Sequence, residues 1–318
     1  MSAETVRGER ADGLRHELYS YSGEEEFLSG ALSFIHDALA ADEIVLVSVP
    51  QDREQILRAE PVGSDPRVLF MDTAVLGRNP ARLIPAWERW VVEHAGRGRG
   101  VRGIGETGWI GRGAAEIAEI RYHEWLLNLA FTRSPAWWLL CPYDTGTVDP
   151  EEMRKISRCH PYVMESGAHR ASDAYVDEPF AWDELEKACD PSEEFPYGRG
   201  DLAAVRERVT ACAVQHGLGG ERLRETLVAV TEVAANSITH GGGHGTLRTW
   251  VRQGTLVCEF HDDGVIDDPM AGRRRPTPQL PGGRGLWLVH QLCDLVEIRS
   301  TPESGTTVRL HVTILPPS

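Results

Sequence analysis

Apolar positions recur along this chain with two different periods, and the alternation between them marks out three regions. From about Asp12 to Glu165, segments with helical spacing take turns with short continuous apolar runs. In EFLSGALSFIHDALA, residues Phe27, Leu28, Ala31, Phe34, Ile35, Ala38 and Leu39 fall on one face of a helix. EIVLVSVP follows, a run rich in Val and Ile that Pro50 stops, as expected of a strand buried on both faces of a parallel sheet. The pattern then predicts a helix at QILRAE, a strand at VLFMD, a helix at PARLIPAWERWVVEHA and a strand at VRGIGETGW. A helix at AAEIAEIRYHEWLLNLAF and a buried strand at AWWLLCPYD complete the series. Helices and apolar strands in turn predict an α/β layered domain over residues 12–165.

Residues 166–197 change character. Asp173, Asp177, Glu178, Pro179, Asp190, Pro191, Glu193, Glu194 and Pro196 leave few aliphatic positions, which reads as an acidic, Pro-punctuated linker. The third region, residues 198–318, opens with a helix at DLAAVRERVTACAVQHGL, ended by Gly217 or Gly219. A second helix, ERLRETLVAVTEVAANSITH, carries an apolar stripe through Leu223, Leu227, Val230, Ala234 and Ile238 until Gly241, Gly242 and Gly243 break it. TLRTWVRQ and TLVCEFHDDG alternate like a hairpin joined at Gly254. An irregular Gly/Pro/Arg-rich stretch from Val265 to Gly283 precedes a helix at GLWLVHQLC and two strands, LVEIRST and TTVRLHVTI. These elements predict an antiparallel or mixed sheet with helices on one face.

Composition narrows the function. Hydrophobic residues at 41% and charged residues at 25% suit a soluble protein with a real core. A formal net charge of -15 repels phosphate backbones, so direct nucleic-acid binding is not expected, whereas a basic or mixed-charge protein partner is accommodated. The first residues, MSAETVRGERADGLRHELYS, lack the apolar core of a signal peptide, and no apolar run approaches the roughly 20 residues needed to span a bilayer. Cys141, Cys159, Cys189, Cys212, Cys258 and Cys293 are scattered, with no CxxC pair. We therefore expect reduced thiols, a cytoplasmic location and no membrane association.

Four features of the third region carry chemistry. Glu232 and Asn236 stand at i and i+4, on one side of an otherwise apolar helix, where a carboxylate and an amide need partners. An Asn oxygen is a hard donor suited to magnesium, which keeps waters and borrows phosphate oxygens. Asp262 ends a strand two residues before Gly264; its carboxylate can accept from an adenine amine while the glycine lets backbone approach the ring. Gly282–Gly285 (GGRG) opens a helix and offers free N–H groups to an anion. Ser304, Gly305, Thr306 and Thr307 form a turn before the last strand and add small donors.

In this order and on these elements, the four resemble the N, G1, G2 and G3 boxes of the GHKL (Bergerat-fold) ATPases, over about Leu202 to Leu315. That superfamily includes histidine kinases, gyrase and anti-sigma-factor serine kinases. The wording TEVAANSITHGGG … GGRGLWLVHQLCD resembles the anti-sigma regulatory branch, the RsbW/RsbA-like serine kinases. The resemblance implies a GHKL α/β sandwich that binds ATP with Mg2+. Asn236 would hold the metal and Asp262 the adenine, with His240, Gly264, Gly283, Gly285, Leu286 and Thr306 as further nucleotide contacts. Glu232 would be the general base orienting a Ser or Thr hydroxyl, or water, towards the γ-phosphate, with Arg284 supplying positive charge. Arg273, Arg274 and Arg275 are alternative cations for that task, or else a solvated basic cluster. Two positions depart from the family pattern: Ile266 replaces the second Gly of DxGxG, and Trp287 stands where the G2 box ends in Gly.

The first region resembles the MEDS sensory family, related to the RecA/KaiC-type α/β fold, through HELYSYSGEEEFLSGALSFIHDALAADEIVLVSVP and FMDTAVLGRNPARLI. After EIVLVSVP the chain runs QDREQIL with no GK[ST], so a P-loop is absent. The implied role is sensing a small ligand or docking a protein. Trp87, Trp90, Trp109, Trp125, Trp137 and Trp138 either line an apolar pocket or form core, and His16 is either a sensor or phosphoacceptor residue or a surface or capping histidine.

Three functions remain open. The first is an anti-sigma regulator, which binds a sigma factor and phosphorylates a STAS-type antagonist on Ser or Thr, with homodimerisation implied by the resemblance. The second is a sensor histidine kinase. His16-Glu17, His36-Asp37 and His123-Glu124 are its candidate acceptor dipeptides, but none lies in a helical hairpin just before the ATPase region. The third is a non-catalytic switch in which ATP organises a partner-binding surface.

Overall fold

Parallel crossovers set the architecture of the first part of the chain. The computed structural model describes residues 13–71, 76, 79–95, 99–183, 185–186, 193–277 and 283–314. They fall into two units. The first draws its described residues from the spans Met1–Val75, Ala86–Arg112 and Ile120–Ala181, and the second from Leu76–Pro85, Gly113–Glu119 and Trp182–Ser318. In chain order come β1 (Leu14–Tyr21), α1 (Gly23–Ala40), β2 (Ile44–Ser48), α2 (Gln51–Ala59), β3 (Val68–Phe70), α3 (Leu83–Ala95) and β4 (Val101–Gly105). Then follow α4 (Ala114–Ala130), β5 (Trp137–Asp144), α5 (Pro150–Ser157), β6 (Tyr162–Glu165) and β7 (Ala168–Ala171).

These strands form a seven-stranded sheet in the order β3-β2-β4-β5-β1-β6-β7, parallel except for β7 against β6. Parallel neighbours need long crossovers, which the intervening helices supply. Helix α1 forms where expected because its stripe of Phe27, Ala31, Phe34, Ile35 and Ala38 is fully buried. Each Phe or Ile so covered contributes roughly 1.5–3 kcal/mol. Trp87, Trp90, Trp109 and Trp137 are also buried as core, Trp87 lying against Trp137 with ring centroids 5.5 Å apart.

Three elements differ from the sequence reading. Strand β1 had no counterpart in it, yet it is the strand between β5 and β6. Its polar residues His16 and Glu17 are fully buried, so LRHELYSY lacks the apolar run that marks its neighbours. The acidic stretch read as a linker carries a strand near each end, β7 at Ala168–Ala171 and β8 at Phe195–Gly198. Cys189, Asp190 and Pro191 of that stretch lie outside the described residues. Strand β1 also leads directly into α1. The turn after it reads SYSGEEE, again without GK[ST], and Glu24, Glu25 and Glu26 occupy the helix's first turn, where they repel a phosphate.

In the second unit, β8 precedes α6 (Leu202–Gln215), α7 (Gly220–His240), β9 (His244–Arg252) and β10 (Thr255–Asp262). After them come α8 (Arg284–Leu292), β11 (Leu295–Thr301) and β12 (Gly305–Thr313). The sheet order is β11-β12-β10-β9-β8, antiparallel throughout. The hairpin between β9 and β10 turns on Gln253 and Gly254, both at positive φ (49° and 74°), the two-residue geometry that follows strand twist. Val205 and Val209 of α6, Val230 and Ala234 of α7 and Val289 of α8 pack onto Leu256, Cys258, Phe260, Leu310 and Val312. The three helices thus cover one sheet face. The opposite face carries charged pairs such as Glu259 with Arg309 and Glu297 with His311. Among the described residues no helix is long and apolar enough to cross a membrane. Cys141, Cys159, Cys212, Cys258 and Cys293 are free thiols.

Candidate functional site

The end of α7 and the ends of two paired strands meet around a cavity of about 370 Å³ in the second unit. Helix α7 brings Asn236 and His240 to its wall, one turn apart on one face. Strand β10 delivers Asp262 at its last position, and the chain then turns through Gly264. Register does the rest: Asp262 lies opposite Thr306 on β12, so both reach the same rim. Gly283, Gly285 and Leu286 close the wall at the entry to α8. Gly283 caps that helix in the left-handed region at φ 75°, where a side chain is strained. Gly282, the first glycine of GGRG, lies outside the described residues.

Backbone crowding explains why glycine stands where it does. A Cβ at Gly264 would lie 2.7 Å from the His240 carbonyl and 3.0 Å from Asp262 Oδ1. A Cβ at Gly285 would lie 2.8 Å from Glu232 Oε2. Asp262 is held by the Gly264 N–H, which donates to Oδ1 at 2.9 Å. Thr306 donates its hydroxyl to the Gly264 carbonyl at 2.8 Å and lies 2.8 Å from the Ser300 hydroxyl, so the β12 turn braces the β10 turn.

Two residues assigned catalytic roles do not line the cavity. Glu232 stands behind Gly285, one turn before Asn236, and Arg284 is exposed at the first position of α8. Arg273 is neither a solvated cation nor a cavity residue. It is 2% exposed and pairs through Nη2 with Glu119 Oε2 at 2.5 Å, within the same unit. Arg274 and Arg275 are exposed. Burial, with Arg273 and Arg82 nearby, pushes His290 of α8 well below the usual histidine range, so it stays neutral.

Sequence reasoning missed several wall residues. Gly241 was read only as part of a helix-breaking run, yet a side chain there would collide with the Asp262 carboxylate. Val233 and Val308 supply apolar surface, and Asp267 and Asp268 bring negative charge to the wall; no motif marked them. Ile266 also lines the cavity, its N–H donating to Ser300 Oγ at 2.8 Å. Trp287 is half-buried, and its Nε1 has no hydrogen-bond partner among the described residues.

A helix-backed antiparallel sheet with Asn236, Asp262 and a glycine-lined helix entry around one cavity fits an ATPase domain of the histidine-kinase-like type. Residues 195–312 match the family "Histidine kinase-like ATPase domain". Residues 15–161 match the family "MEDS: MEthanogen/methylotroph, DcmR Sensory domain". The chain therefore joins a MEDS domain to a histidine kinase-like ATPase domain. Among solved structures, it is similar to Acinetobacter baumannii histidine kinase AdeS at 13% identity and a TM-score of 0.26, over 39% of this chain and 68% of that one. No curated protein matches the sequence.

Proposed function

We propose that the chain is an ATP-binding signalling regulator of the anti-sigma type, cytoplasmic, whose MEDS domain controls an ATPase domain that acts on a protein partner. The convergence of Asn236, Asp262, Gly264, Gly285 and Thr306 on one cavity carries this reading. The donor set fits Mg-ATP: a hard amide oxygen at Asn236, a carboxylate braced at Asp262 and glycine backbone where side chains would collide. When bound, the metal neutralises charge on the phosphates. Asp262 would hold the adenine amine, His240, Gly264, Leu286 and Thr306 would contact the nucleotide, and the N–H groups at Gly283 and Gly285 would bind the phosphates. From behind Gly285, Glu232 would take the proton of a substrate hydroxyl as its oxygen bonds to the γ-phosphorus and ADP leaves, and Arg284, also outside the cavity wall, would supply positive charge from the first turn of α8.

In this reading the partners are a sigma factor and a STAS-type antagonist phosphorylated on Ser or Thr, the protein acts as a homodimer, and a small ligand acts at the MEDS domain. The RecA/KaiC-like reading of the first unit is supported by its strand order and its antiparallel edge strand. A histidine acceptor is disfavoured at two of the three His-acid dipeptides, since His16 and His123 are buried. Ile266 and Trp287 favour a second reading, in which ATP only shapes a binding surface. Incubation of the whole chain with radiolabelled ATP and a candidate antagonist separates the three. Acid-stable phosphoserine or phosphothreonine on the antagonist supports the proposal, acid-labile label on the chain itself replaces it with a histidine kinase, and retained binding without label replaces it with the switch.

A further inference from the structure

Four side chains far apart in sequence meet in the interior of the first unit. His16 comes from β1, Glu124 from α4, Cys141 from β5 and His160 from the segment between α5 and β6. All are buried, at 0%, 2%, 1% and 0% exposure. One donor atom from each lies within 4.8 Å of all the others. His16 Nε2 is 3.1 Å from Glu124 Oε2 and 3.3 Å from Cys141 Sγ, and His160 Nε2 is 3.4 Å from Glu124 Oε2. A tetrahedral site with metal–donor distances of roughly 2.0–2.3 Å sets its donors about 3.3–3.8 Å apart.

The surrounding hydrogen bonds fix which lone pairs face the centre. His160 Nδ1 lies 2.9 Å from the Ile156 carbonyl, which only accepts, so that nitrogen carries the proton. Asn128 donates Nδ2 to the Cys159 carbonyl at 2.7 Å, which turns its Oδ1 towards His16 Nδ1 at 3.1 Å and makes that nitrogen a donor too. A neutral imidazole at either position therefore points an Nε2 lone pair inwards, and His160 Nε2 has no hydrogen-bond partner among the described residues. Tyr143 donates to Glu124 Oε1 at 2.7 Å and leaves Oε2 for the centre. Three of the four inner donors, His16, Glu124 and His160, are thus oriented by an outer partner, the arrangement that positions metal ligands.

We propose that His16, Glu124, Cys141 and His160 form a closed binding site for a divalent transition-metal ion, zinc(II) in the first instance. Nitrogen and sulfur donors disfavour magnesium and calcium. Binding releases the Cys141 thiol proton to solvent, and thiolate plus carboxylate then balance the two positive charges of the ion. Since the four ligands come from four separate segments of the unit, the ion ties its sheet to α4 and to the chain before β6.

The test uses the full chain, stripped with a chelator, shown to be folded by circular dichroism, and titrated with cobalt(II). We expect one ion per first unit with a thiolate-to-cobalt charge-transfer band; an ion held only by oxygen donors gives no such band. Cys141→Ser should lose the band, while Cys159→Ser, at a neighbouring thiol outside the set, should keep it. His160→Gln should weaken cobalt binding about tenfold or more, and it serves if Cys141→Ser does not fold. A folded wild-type chain without the band, a band that survives in Cys141→Ser, or unchanged affinity in His160→Gln overturns the site. In that event the cluster is a hydrogen-bonded network sharing a proton.

Discussion

Glu232 lies against the backbone of Gly285, so close that a Cβ at position 285 would stand 2.8 Å from its Oε2. The proposed base and the glycine-rich helix entry are therefore one steric unit, although more than fifty residues separate them in sequence. Only the flexible end of a side chain opposes a methyl group there. Gly285→Ala should fold, with a melting temperature near that of the wild type, and should bind ATP about tenfold more weakly, ~1.4 kcal/mol. Isothermal titration calorimetry checks this, and unchanged affinity separates Gly285 from the nucleotide.

Asn236 and Glu232 are expected to fail differently. Asn236→Ala should abolish Mg2+-dependent ATP binding, read by calorimetry with and without the metal. Glu232→Gln should retain nucleotide yet lose phosphoryl transfer to the antagonist; transfer at the wild-type rate removes Glu232 as the base.

Burial raises Glu106, at the end of β4, from 4.5 to about 7, partly offset by the hydrogen bond from Tyr21 and by Arg53. The folded state thus holds a proton that the unfolded state gives up earlier, and stability falls as pH rises from about 4.5 to about 7. The loss is on the order of 3 kcal/mol. Glu106→Gln should flatten this dependence and raise the midpoint of the first unit's transition at pH 8, followed by tryptophan fluorescence. A steeper fall in the variant contradicts the assignment.

Glu119 joins two arginines in the second unit, Arg273 at 2.5 Å and Arg299 at 3.1 Å. Removing the carboxylate takes a shared counter-charge from two cations with little solvent, of which Arg299 keeps Glu297 at 3.6 Å. Glu119→Ala should cost roughly 3–5 kcal/mol in denaturant unfolding, and Arg273→Met, which keeps volume and removes a charge, should cost less. Equal and small losses would show the cluster to be solvated.

Much of the second unit was legible because its signals are local. The stripe through Val230 and Ala234 is a helix period, Gly254 joins two alternating strands, and GGRG before an apolar helix announces its own N-terminus. Gly241 and Val308 were not legible, because their roles arise from an approach to Asp262 and to a cavity that pairing of distant strands creates. Strand β1 was hidden for the opposite reason. Its buried His16 and Glu17 read as polar surface until their partners are known.

The sequence alone determined that two α/β regions follow one another, that a helix carries Glu232 and Asn236 on one side, and that Asp262 ends a strand. Those are consequences of residue period and of glycine and proline chemistry, which act over a few residues. The tertiary structure decided which donors meet. It set Asp262 opposite Thr306, put Glu232 behind Gly285, buried Arg273 on Glu119, and gathered His16, Glu124, Cys141 and His160 from four separate segments. No spacing encodes those meetings, because sheet order and register fix them.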